Sequence, residues 1–483
     1  MSDLLKDALN LVQAYLHIKH PRPSTQYSID NPANVSTILQ VPDMDAHDAE
    51  HAIAQATQTL PQWRSLTARE RSKALRRWHD LVLAHQEELA LLLTTEQGKP
   101  LAEARGEIAY GASYIEWFAE EAVRAYGDVT PSNTGHTRLL TIKQPIGVVS
   151  IITPWNFPNA MLARKLAPAL AVGCTCVVKP AEDTPLSALA LAALAEQAGI
   201  PAGAINIVTT SRPAPIGEVL CTHAQVRKVS FTGSTPIGKH IAHLAASSVK
   251  RVSLELGGNA PFIVFDDADI PAAVQGALAS KYRNAGQTCV CTNRFYIQEG
   301  IYDAFVAEYA RQVALLKTGA GTEADTQIGP LINQAACAKV DALVKDAIRQ
   351  GAKLTYQGAI PDDTQGHFYP VTLLTQVTEA MALTQEEIFG PVSALMTFKE
   401  EAEVIQRANA TPYGLAAYFY ARDIGRIWRV AEALDYGMIG INEGIISNAA
   451  IPFGGVKESG LGREGSRHGL DDYLETKFLC MGF

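Results

Sequence analysis

Short apolar segments alternate with helix-like segments between residues 147 and 255, and this alternation constrains the fold of the chain more than any other feature. The spacing of the apolar residues separates the two kinds of segment. Alternation of strands and helices implies βαβ units and a largely parallel sheet. The predicted strands cover residues 147–152, 175–178, 204–208, 228–231 and 251–255, and the predicted helices cover 160–171, 187–198 and 237–246.

Helices are predicted before this region, and a second α/β pattern runs from residue 259 to about 440 after it. A chain of 483 residues is too long for one hydrophobic core, which favours two or three domains. Residues 137–144 and 473–480 are predicted to be strand arms. The further predicted helices cover residues 1–16, 46–65, 68–95, 101–126, 266–280, 302–316, 334–350 and 402–410.

Composition and charge exclude several classes of function. The formal net charge of −9 provides no basic surface for nucleic acid, and no apolar run is long enough to span a membrane. Asp3 and Asp7 argue against a transit peptide, and the first helix contains no uninterrupted apolar region typical of a signal peptide. Seven cysteines, an odd number, favour a reducing cytoplasm over a disulfide framework.

Three separated residues provide the groups required for covalent chemistry at a carbonyl. They are Cys289, which follows a Gly-Gln-Thr string, Glu255, which precedes a Leu-Gly-Gly string, and Asn156 far upstream. A thiolate attacks the carbonyl, an amide N–H stabilises the oxyanion, and a carboxylate activates water to release the acyl group. The alternative for Glu255 is a structural carboxylate that caps the turn after it.

Together with four further motifs, these segments resemble the aldehyde dehydrogenase superfamily, and most closely its succinate-semialdehyde dehydrogenases. Each short string alone is weak, but the motifs occur in the expected order over nearly the whole chain. They are TPWNFP at 153–158, KPAE at 179–182, FTGS at 231–234, LELGG at 254–258, NAGQTCVC at 284–291, EEIFGP at 386–391 and PFGG at 452–455.

The resemblance implies an aldehyde dehydrogenase-like α/β fold with a Rossmann-type cofactor domain, an α/β catalytic domain and a small β oligomerisation arm. The cofactor domain would comprise residues 1–126 and 146–257, the catalytic domain 258–457, and the arm 127–145 and 470–483. An edge strand with unpaired backbone groups can extend the sheet of a neighbouring subunit. A homodimer or homotetramer is therefore expected.

A strand–turn–helix corner at Gly233 and Ser234 is the predicted site of the cofactor phosphates. A pyrophosphate at this corner would meet free N–H groups and the positive end of the helix dipole, and the resemblance implies that Ser234 contacts phosphate. An ordinary corner would also contain glycine and serine. The literal Gly-x-Gly-x-x-Gly at Gly460, Gly462 and Gly465 follows no predicted strand and is interpreted as a decoy.

The resemblance also implies that Lys179 and Glu182 bind the adenine ribose. Lys179 ends a predicted strand, and ligands of open α/β sheets gather at that end. A carboxylate at position 182 would accept hydrogen bonds from both ribose hydroxyls but repel a 2′-phosphate. NAD is therefore expected to be preferred, with NADP possible. Thr210 stands where the family usually has glycine, which leaves the shape of the adenine wall open.

Further cofactor contacts are implied by the same resemblance. Glu387 is similar to the glutamate that binds the nicotinamide ribose, with Phe389 packing nearby. A solvated carboxylate in an acidic turn is the alternative for Glu387. Thr153, Pro154 and Trp155 complete the expected cofactor-binding set.

The resemblance assigns one role to each catalytic residue. Cys289 attacks an aldehyde, Asn156 and the Cys289 backbone N–H bind the oxyanion, hydride transfer leaves a thioester, and Glu255 activates water. The presence of Glu255 argues against CoA-acylating relatives. Cys291 is either a small buried residue or the partner of Cys289 in a reversible disulfide, whose small ring would be easily reduced.

An aldehyde with a distal carboxylate requires a cation at the far end of its pocket, and the fork of an arginine suits it. Arg164, Arg283 and Ser447 match positions that bind this carboxylate in succinate-semialdehyde dehydrogenases. Phe157 would contribute to an apolar funnel, although aromatic residues more often belong to a core. Either arginine alone is compatible with a surface salt bridge.

Other functions remain open at this stage. Glutarate semialdehyde is one methylene longer, which is worth only about 1–3 kcal/mol of discrimination. A betaine or fatty aldehyde would not require both arginines. A thiol hydrolase would pair Cys289 with a histidine, but none of the 12 histidines lies close to it in sequence. The joint presence of the three catalytic residues argues against a non-catalytic protein, and no metal-ligand spacing is found.

Overall fold

The computed structural model describes residues 2–19, 23, 25–362 and 365–483. Met1, the first residue of the predicted helix 1–16, lies outside them. The helices are α1 Asp3–Lys19, α2 Ala46–Ser65, α3 Ala68–Ala84, α4 Gln86–Gln97, α5 Leu101–Glu121, α6 Ala160–Val172, α7 Pro185–Gln197, α8 Pro213–Thr222, α9 Thr235–Ala246, α10 Ile270–Tyr282, α11 Tyr302–Val313, α12 Gln334–Arg349, α13 Ala382–Gln385, α14 Glu401–Asn409 and α15 Ile424–Ala433. The strands are β1 Gln26–Asp30, β2 Thr37–Pro42, β3 Val129–Thr130, β4 Thr137–Pro145, β5 Val148–Ile152, β6 Thr175–Lys179, β7 Ile205–Ile207, β8 Val226–Thr232, β9 Arg251–Glu255, β10 Ala260–Val264, β11 Thr292–Gln298, β12 Lys353–Gln357, β13 Thr372–Thr375, β14 Val392–Phe398, β15 Ala416–Tyr420, β16 Met438–Ile441, β17 Gly460–Leu461 and β18 Leu474–Gly482.

Helices α1, α3, α4 and α5 pack into one core with α6 and α7, which flank the first sheet, whereas most buried residues of α2 belong to a second core. Helix α2 begins where predicted because Asp45 and Asp48 form a reciprocal cap at its N-terminus. The predicted helix 68–95 is wrong in one respect, since α3 and α4 are separated at His85. This residue leaves the helical conformation (ψ 23°), although no glycine or proline marks the break.

The first sheet contains the strands predicted between residues 147 and 255. Its order is β17-β9-β8-β5-β6-β7. The neighbours from β9 to β7 pair in parallel, and β17 runs antiparallel to β9. The parallel strands are therefore joined by helical crossovers, which places their carboxyl ends along one edge.

The second sheet has the order β12-β13-β14-β11-β10-β15-β16, and β12 alone among these runs antiparallel to its neighbour. Helix α10 begins later than the predicted residue 266. The side chain of Asp269 accepts a hydrogen bond from the N–H of Ala272, and Pro271 follows in the first turn. Both features are typical of a helix N-terminus and fix the start at Ile270.

The predicted strand arms form the third sheet, in the order β18-β4-β3. Its strands are antiparallel, with Leu474 opposite Pro145 and Gly482 opposite Thr137. Phe478 is 62% exposed on β18, so an apolar side chain is left uncovered within the described chain. No helix among the described residues is long and apolar enough to cross a membrane.

Candidate active site

A cavity of about 280 Å³ lies at the carboxyl ends of β5 and β8, against the loop that precedes β11. Most of the predicted site residues line it. They are Pro154, Trp155, Asn156, Phe157, Arg164, Gly233, Ser234, Arg283, Cys289, Glu387, Phe389 and Ser447. The predicted residues outside this lining are Thr153, Lys179, Glu182, Glu255 and Cys291.

The thiol of Cys289 lies half-buried in the cavity, after a tightly turned loop. Asn284 and Ala285 have φ angles of 53° and 55°, in the left-handed region. A Cβ at Gly286 would lie 2.2 Å from the carbonyl oxygen of Gly390, so the close approach of these backbones requires glycine. Burial raises the pKa of the Cys289 thiol to about 12, whereas the positive charge of Arg164 lowers it.

The side chain of Asn156 is buried beside the Cys289 loop. Its Nδ2 donates a hydrogen bond to the carbonyl oxygen of Gln287 at 3.1 Å, which leaves one N–H of the amide free. The backbone N–H of Cys289 also has no hydrogen-bond partner within the described residues. Two N–H donors are therefore available beside the thiol, as an oxyanion requires.

Glu255 is the last residue of β9 and is only 3% exposed. Its carboxyl group lies beside Gly454, where a Cβ would come within 2.8 Å of Oε1. Burial and the neighbouring Glu464 raise the pKa of Glu255 well above its usual range. The carboxyl group thus lies outside the cavity lining, and its environment favours the protonated form.

The glycines of the Gly-x-Gly-x-x-Gly string do not open an α-helix. Gly460 belongs to the edge strand β17 and pairs with Glu255. A Cβ at Gly460 would lie 2.1 Å from the carbonyl oxygen of Leu254, so this glycine allows β17 to pack closely on β9. The string therefore does not form the strand–turn–helix that binds a dinucleotide.

Gly233 and Ser234, by contrast, occupy a strand–turn–helix corner between β8 and α9. Ser234 is the N-cap of α9, and its hydroxyl makes no capping hydrogen bond. A Cβ at Gly233 would lie 2.4 Å from the ring of Phe231, so a larger residue at this position would displace that ring. Trp155 and Phe389 meet edge to face in the same cavity, with ring centroids 5.5 Å apart.

Lys179 ends β6 and binds Glu182 outside this cavity. Its Nζ donates to Oε2 of Glu182 at 3.0 Å and to the carbonyl oxygen of Pro180 at 2.8 Å. Thr210 is buried, and its hydroxyl donates to Asp43 at 3.2 Å. The threonine that replaces the usual glycine thus ties its loop to the residue after the β1–β2 hairpin.

Glu387 accepts a hydrogen bond from the backbone N–H of Gly258 at 3.3 Å. Its carboxyl group lines the cavity, and burial raises the pKa of Glu387 to about 7. The interpretation of this residue as a solvated surface carboxylate is therefore wrong.

Arg164 is completely buried on α6, and so is Lys165 beside it, which excludes a solvated surface pair. The Nε of Arg164 contacts the carboxylate of Glu464, and the guanidinium lies 4.3 Å from the centroid of the Phe453 ring. Nη1 and Nη2 have no hydrogen-bond partner within the described residues. A cation with two free donors therefore lines the cavity of the thiol.

Arg283 and Ser447 line the same cavity and are half-buried. The guanidinium of Arg283 stacks on the ring of Phe157 at 4.9 Å. Phe157 is 7% exposed and contributes an apolar wall at this point. The three predicted carboxylate donors are thus brought together at one cavity.

The thiol of Cys291 is buried and free, and its Sγ lies 3.5 Å from Nζ of Lys281. Neither Lys281 nor Glu464 was predicted from the sequence to belong to the site. Glu464 follows Arg164 and Lys165 by about 300 residues, and its backbone is paired with Phe453. No local pattern marks a carboxylate whose partners are this distant in sequence.

The fold and the cavity define the class of protein as an NAD(P)-dependent oxidoreductase. The chain belongs to the aldehyde dehydrogenase family, whose family model matches residues 19–479. A glutarate-semialdehyde dehydrogenase of Pseudomonas putida is 57% identical, and a succinate-semialdehyde dehydrogenase of Escherichia coli named for NADP is 55% identical; each match covers 94% of both chains. The crystal structure of a succinate-semialdehyde dehydrogenase from Burkholderia pseudomallei matches with a TM-score of 0.93 and 54% identity over 95% of both chains.

These similarities confirm the predicted family and fold class. They support oxidation of a semialdehyde with NAD(P) but do not separate succinate semialdehyde from glutarate semialdehyde. Because one of these relatives is named for NADP, the preference for NAD stays a prediction.

Proposed function

We propose that the chain oxidises succinate semialdehyde to succinate. The observation that supports this substrate most strongly is the buried guanidinium of Arg164, whose Nη1 and Nη2 lack partners in the cavity of Cys289. Buried donors without partners are unfavourable, and a carboxylate accepts two parallel hydrogen bonds from such a fork. Arg283 and Ser447 supply further donors to the same anion.

Cys289 performs the covalent step. After the thiol loses its proton, Sγ forms a bond to the aldehyde carbon, and the carbonyl oxygen becomes an oxyanion. Nδ2 of Asn156 and the N–H of Cys289 donate hydrogen bonds to this oxygen. A nicotinamide dinucleotide, when bound, would supply the hydride acceptor. Loss of hydride from the same carbon would leave the acyl group bound to Sγ of Cys289 as a thioester.

Glu255 is the proposed base for hydrolysis of the thioester. Its carboxylate must turn from Gly454 toward the cavity to reach water. It then accepts a proton from water while the oxygen attacks the acyl carbon. The C–S bond breaks, the acid leaves, and the thiolate of Cys289 is regenerated.

The cofactor is assigned to the corner at Gly233 and Ser234, with Thr153, Pro154, Trp155 and Phe389 around the nicotinamide half. The free Ser234 hydroxyl at the N-terminus of α9 suits a phosphate. Lys179 and Glu182 would bind the adenine ribose, and Glu387 the nicotinamide ribose. A carboxylate at Glu182 favours NAD over NADP, with NADP as a possible second cofactor.

A second candidate substrate is glutarate semialdehyde, because one relative that is 57% identical carries that name. The domain boundaries predicted from the sequence are retained in this proposal: the parallel strands of the first sheet precede Gly257 and the second sheet follows it, while β17 returns to the first sheet. The exposed apolar side chains of β18 support a homodimer or homotetramer formed through the arm. Free cysteines throughout the described chain support a cytoplasmic location.

Formation of NADH by the reduced protein tests this proposal. Succinate semialdehyde, glutarate semialdehyde and a neutral aldehyde of similar length are compared at equal enzyme concentration, and the assay is repeated with NADP. We expect a much higher kcat/KM for the acidic aldehydes. Equal turnover of the neutral aldehyde would contradict the substrate, and ester hydrolysis without aldehyde oxidation would favour a thiol hydrolase.

A further inference from the structure

The carbonyl oxygen of Asn156 is held by two buried donors, and both belong to networks that reach helix α5. Nζ of Lys99 donates to this oxygen at 2.7 Å, and Nδ2 of Asn284 donates to it at 2.9 Å. Asn284 belongs to the loop that carries Cys289. The backbone of the proposed oxyanion residue is therefore fixed from two directions.

Lys99 is paired with Glu107 of α5 at 2.5 Å, and both side chains are 0% exposed. The other carboxylate oxygen of Glu107 accepts hydrogen bonds from the backbone N–H groups of Asn159 at 2.9 Å and Ala160 at 3.2 Å. The pair thus holds the segment after β5 at Asn156 itself and again three residues later, at the start of α6.

Glu103 lies one turn before Glu107 on the same helix and holds the other loop. Its Oε2 accepts a hydrogen bond from the backbone N–H of Asn284 at 2.7 Å. Asn284 has a φ of 53°, a left-handed conformation that asparagine adopts more readily than most residues, and the hydrogen bond from its N–H helps to fix it. Carboxylates at i and i+4 on one face of α5 therefore connect the oxyanion segment to the nucleophile loop.

We propose that Lys99 and Glu107 are positioning residues for the reaction, because they set the distance between the Asn156 amide and Cys289. This inference rests on the proposed function, in which Asn156 binds the oxyanion. Stability alone does not require such a pair, since apolar residues of similar volume replace buried ion pairs with little loss or a gain. The position of the backbone, in contrast, does depend on the pair. Lys99 donates a hydrogen bond to a backbone carbonyl oxygen and Glu107 accepts hydrogen bonds from two backbone N–H groups, and apolar side chains can form neither kind of bond.

The decisive experiment uses the double variant Lys99→Met/Glu107→Leu, in which both members of the ion pair are replaced by apolar residues. Lys99→Met alone is examined beside it, and Arg105→Met is the control. Arg105 lies on the same helix but forms an exposed ion pair with Glu87. Thermal unfolding is recorded for each protein, and kcat and KM are measured with succinate semialdehyde and with a neutral aldehyde.

We expect the double variant to unfold at a somewhat lower temperature than the wild type, because the N–H groups of Asn159 and Ala160 lose their acceptor, and we expect kcat to fall about 10- to 100-fold for both aldehydes. KM for the acidic aldehyde should change little, because Arg164 and Arg283 are retained. Arg105→Met should retain the wild-type kcat. The single variant should show the same loss of kcat together with a lower unfolding temperature.

Three results would overturn the inference. A double variant with wild-type kcat would show that the pair is only structural. A raised KM for the acidic aldehyde alone would show that the effect passes through Phe157, which lies 3.8 Å from Nζ of Lys99. If the wild-type protein oxidised none of the aldehydes, the proposed function itself would be wrong. The first two results require an active wild-type protein, so they can be distinguished from this third one.

Discussion

Glu464 contacts the Nε edge of Arg164 and leaves the Nη1–Nη2 edge of the guanidinium without a partner in the described chain. The other carboxylate oxygen of Glu464 binds Nζ of Lys165. One carboxylate thus anchors two buried cations, and the pair formed with Arg164 fixes the orientation of its guanidinium. Arg164 borders the cavity, and an unpaired Nη1–Nη2 edge is the part of a guanidinium that binds a carboxylate through two hydrogen bonds.

Arg164→Met is expected to raise KM for succinate semialdehyde more than for a neutral aldehyde. Loss of hydrogen bonds to a charged group costs about 1.5–3 kcal/mol, which corresponds to about a 10- to 150-fold loss of kcat/KM. Arg283→Met should act in the same direction. The control is Arg311→Met, which removes an exposed arginine paired with Glu308. An equal loss for both aldehydes would contradict a role in substrate selection.

Glu182→Ser is expected to narrow the preference for NAD over NADP. The carboxylate repels a 2′-phosphate, and a serine hydroxyl can donate to it. We expect the ratio of kcat/KM for the two cofactors to shift toward NADP by about tenfold, or about 1.4 kcal/mol. Glu218→Ser, on the exposed face of α8, removes the same charge elsewhere and should leave the ratio unchanged. If Glu182→Ser left the ratio unchanged, Glu182 would not determine the preference between NAD and NADP.

The carboxyl group of Glu387 is expected to make cofactor binding depend on pH. Burial raises its pKa to about 7, so a fall in pH through 7 protonates the group and removes an acceptor for ribose hydroxyls. KM for NAD should therefore be constant above about pH 8 and should rise as the pH falls toward about 6. Steady-state kinetics at saturating aldehyde measure this. In Glu387→Gln, KM should be high and independent of pH; a retained pH dependence would assign it to another group.

Local patterns predicted the elements that position the site. Strand β9 coincides with the predicted residues 251–255, and Asp45 places the start of α2 where its capping box indicates. These elements depend on residues that are close in sequence, so a sequence pattern contains them. That Asn156 and Cys289 share one site was implied by the family resemblance, because no local pattern relates two residues so far apart in the chain.

Features that depend on distant partners could not be predicted. In the sequence, Arg164 and Lys165 are compatible with a solvated surface pair. In the structure, both contact the buried carboxylate of Glu464, which is about 300 residues away in the chain. Lys99 is buried only because α5 and the segment after β5 enclose it. The orientation of Glu255 toward Gly454 depends on the packing of β17 against β9, which no local pattern encodes.

Substitution of glycine by alanine should change the free energy of unfolding in opposite directions at two positions within helices. A Cβ at Gly276 of α10 would lie 1.8 Å from the hydroxyl oxygen of Tyr420, whereas a Cβ at Gly106 of α5 meets nothing within 4 Å. Gly276→Ala is expected to lower the free energy of unfolding by about 1–3 kcal/mol through overpacking. Gly106→Ala should raise it by about 0.5–1 kcal/mol through helix propensity. Chemical denaturation measures both, and stabilisation by Gly276→Ala would contradict the packing at Tyr420.

Cys291 is expected to protect Cys289 during oxidation. Peroxide would convert the two thiols into a disulfide and water, and a thiol reductant would restore activity. Burial raises the pKa of the Cys291 thiol, whereas the ammonium of Lys281, 3.5 Å from its Sγ, acts in the opposite direction and favours the reactive thiolate. In Cys291→Ala, Cys289 has no thiol partner two residues away and should oxidise further, to states that a thiol does not reduce.

Activity after peroxide treatment and after reduction measures this difference. The wild-type protein should recover most of its activity, and Cys291→Ala should recover little. Cys480→Ala is the matched control, because Cys480 is free and exposed on β18, away from the cavity. Equal recovery of Cys291→Ala and the wild-type protein would show that Cys291 is a small buried residue with no role in redox protection.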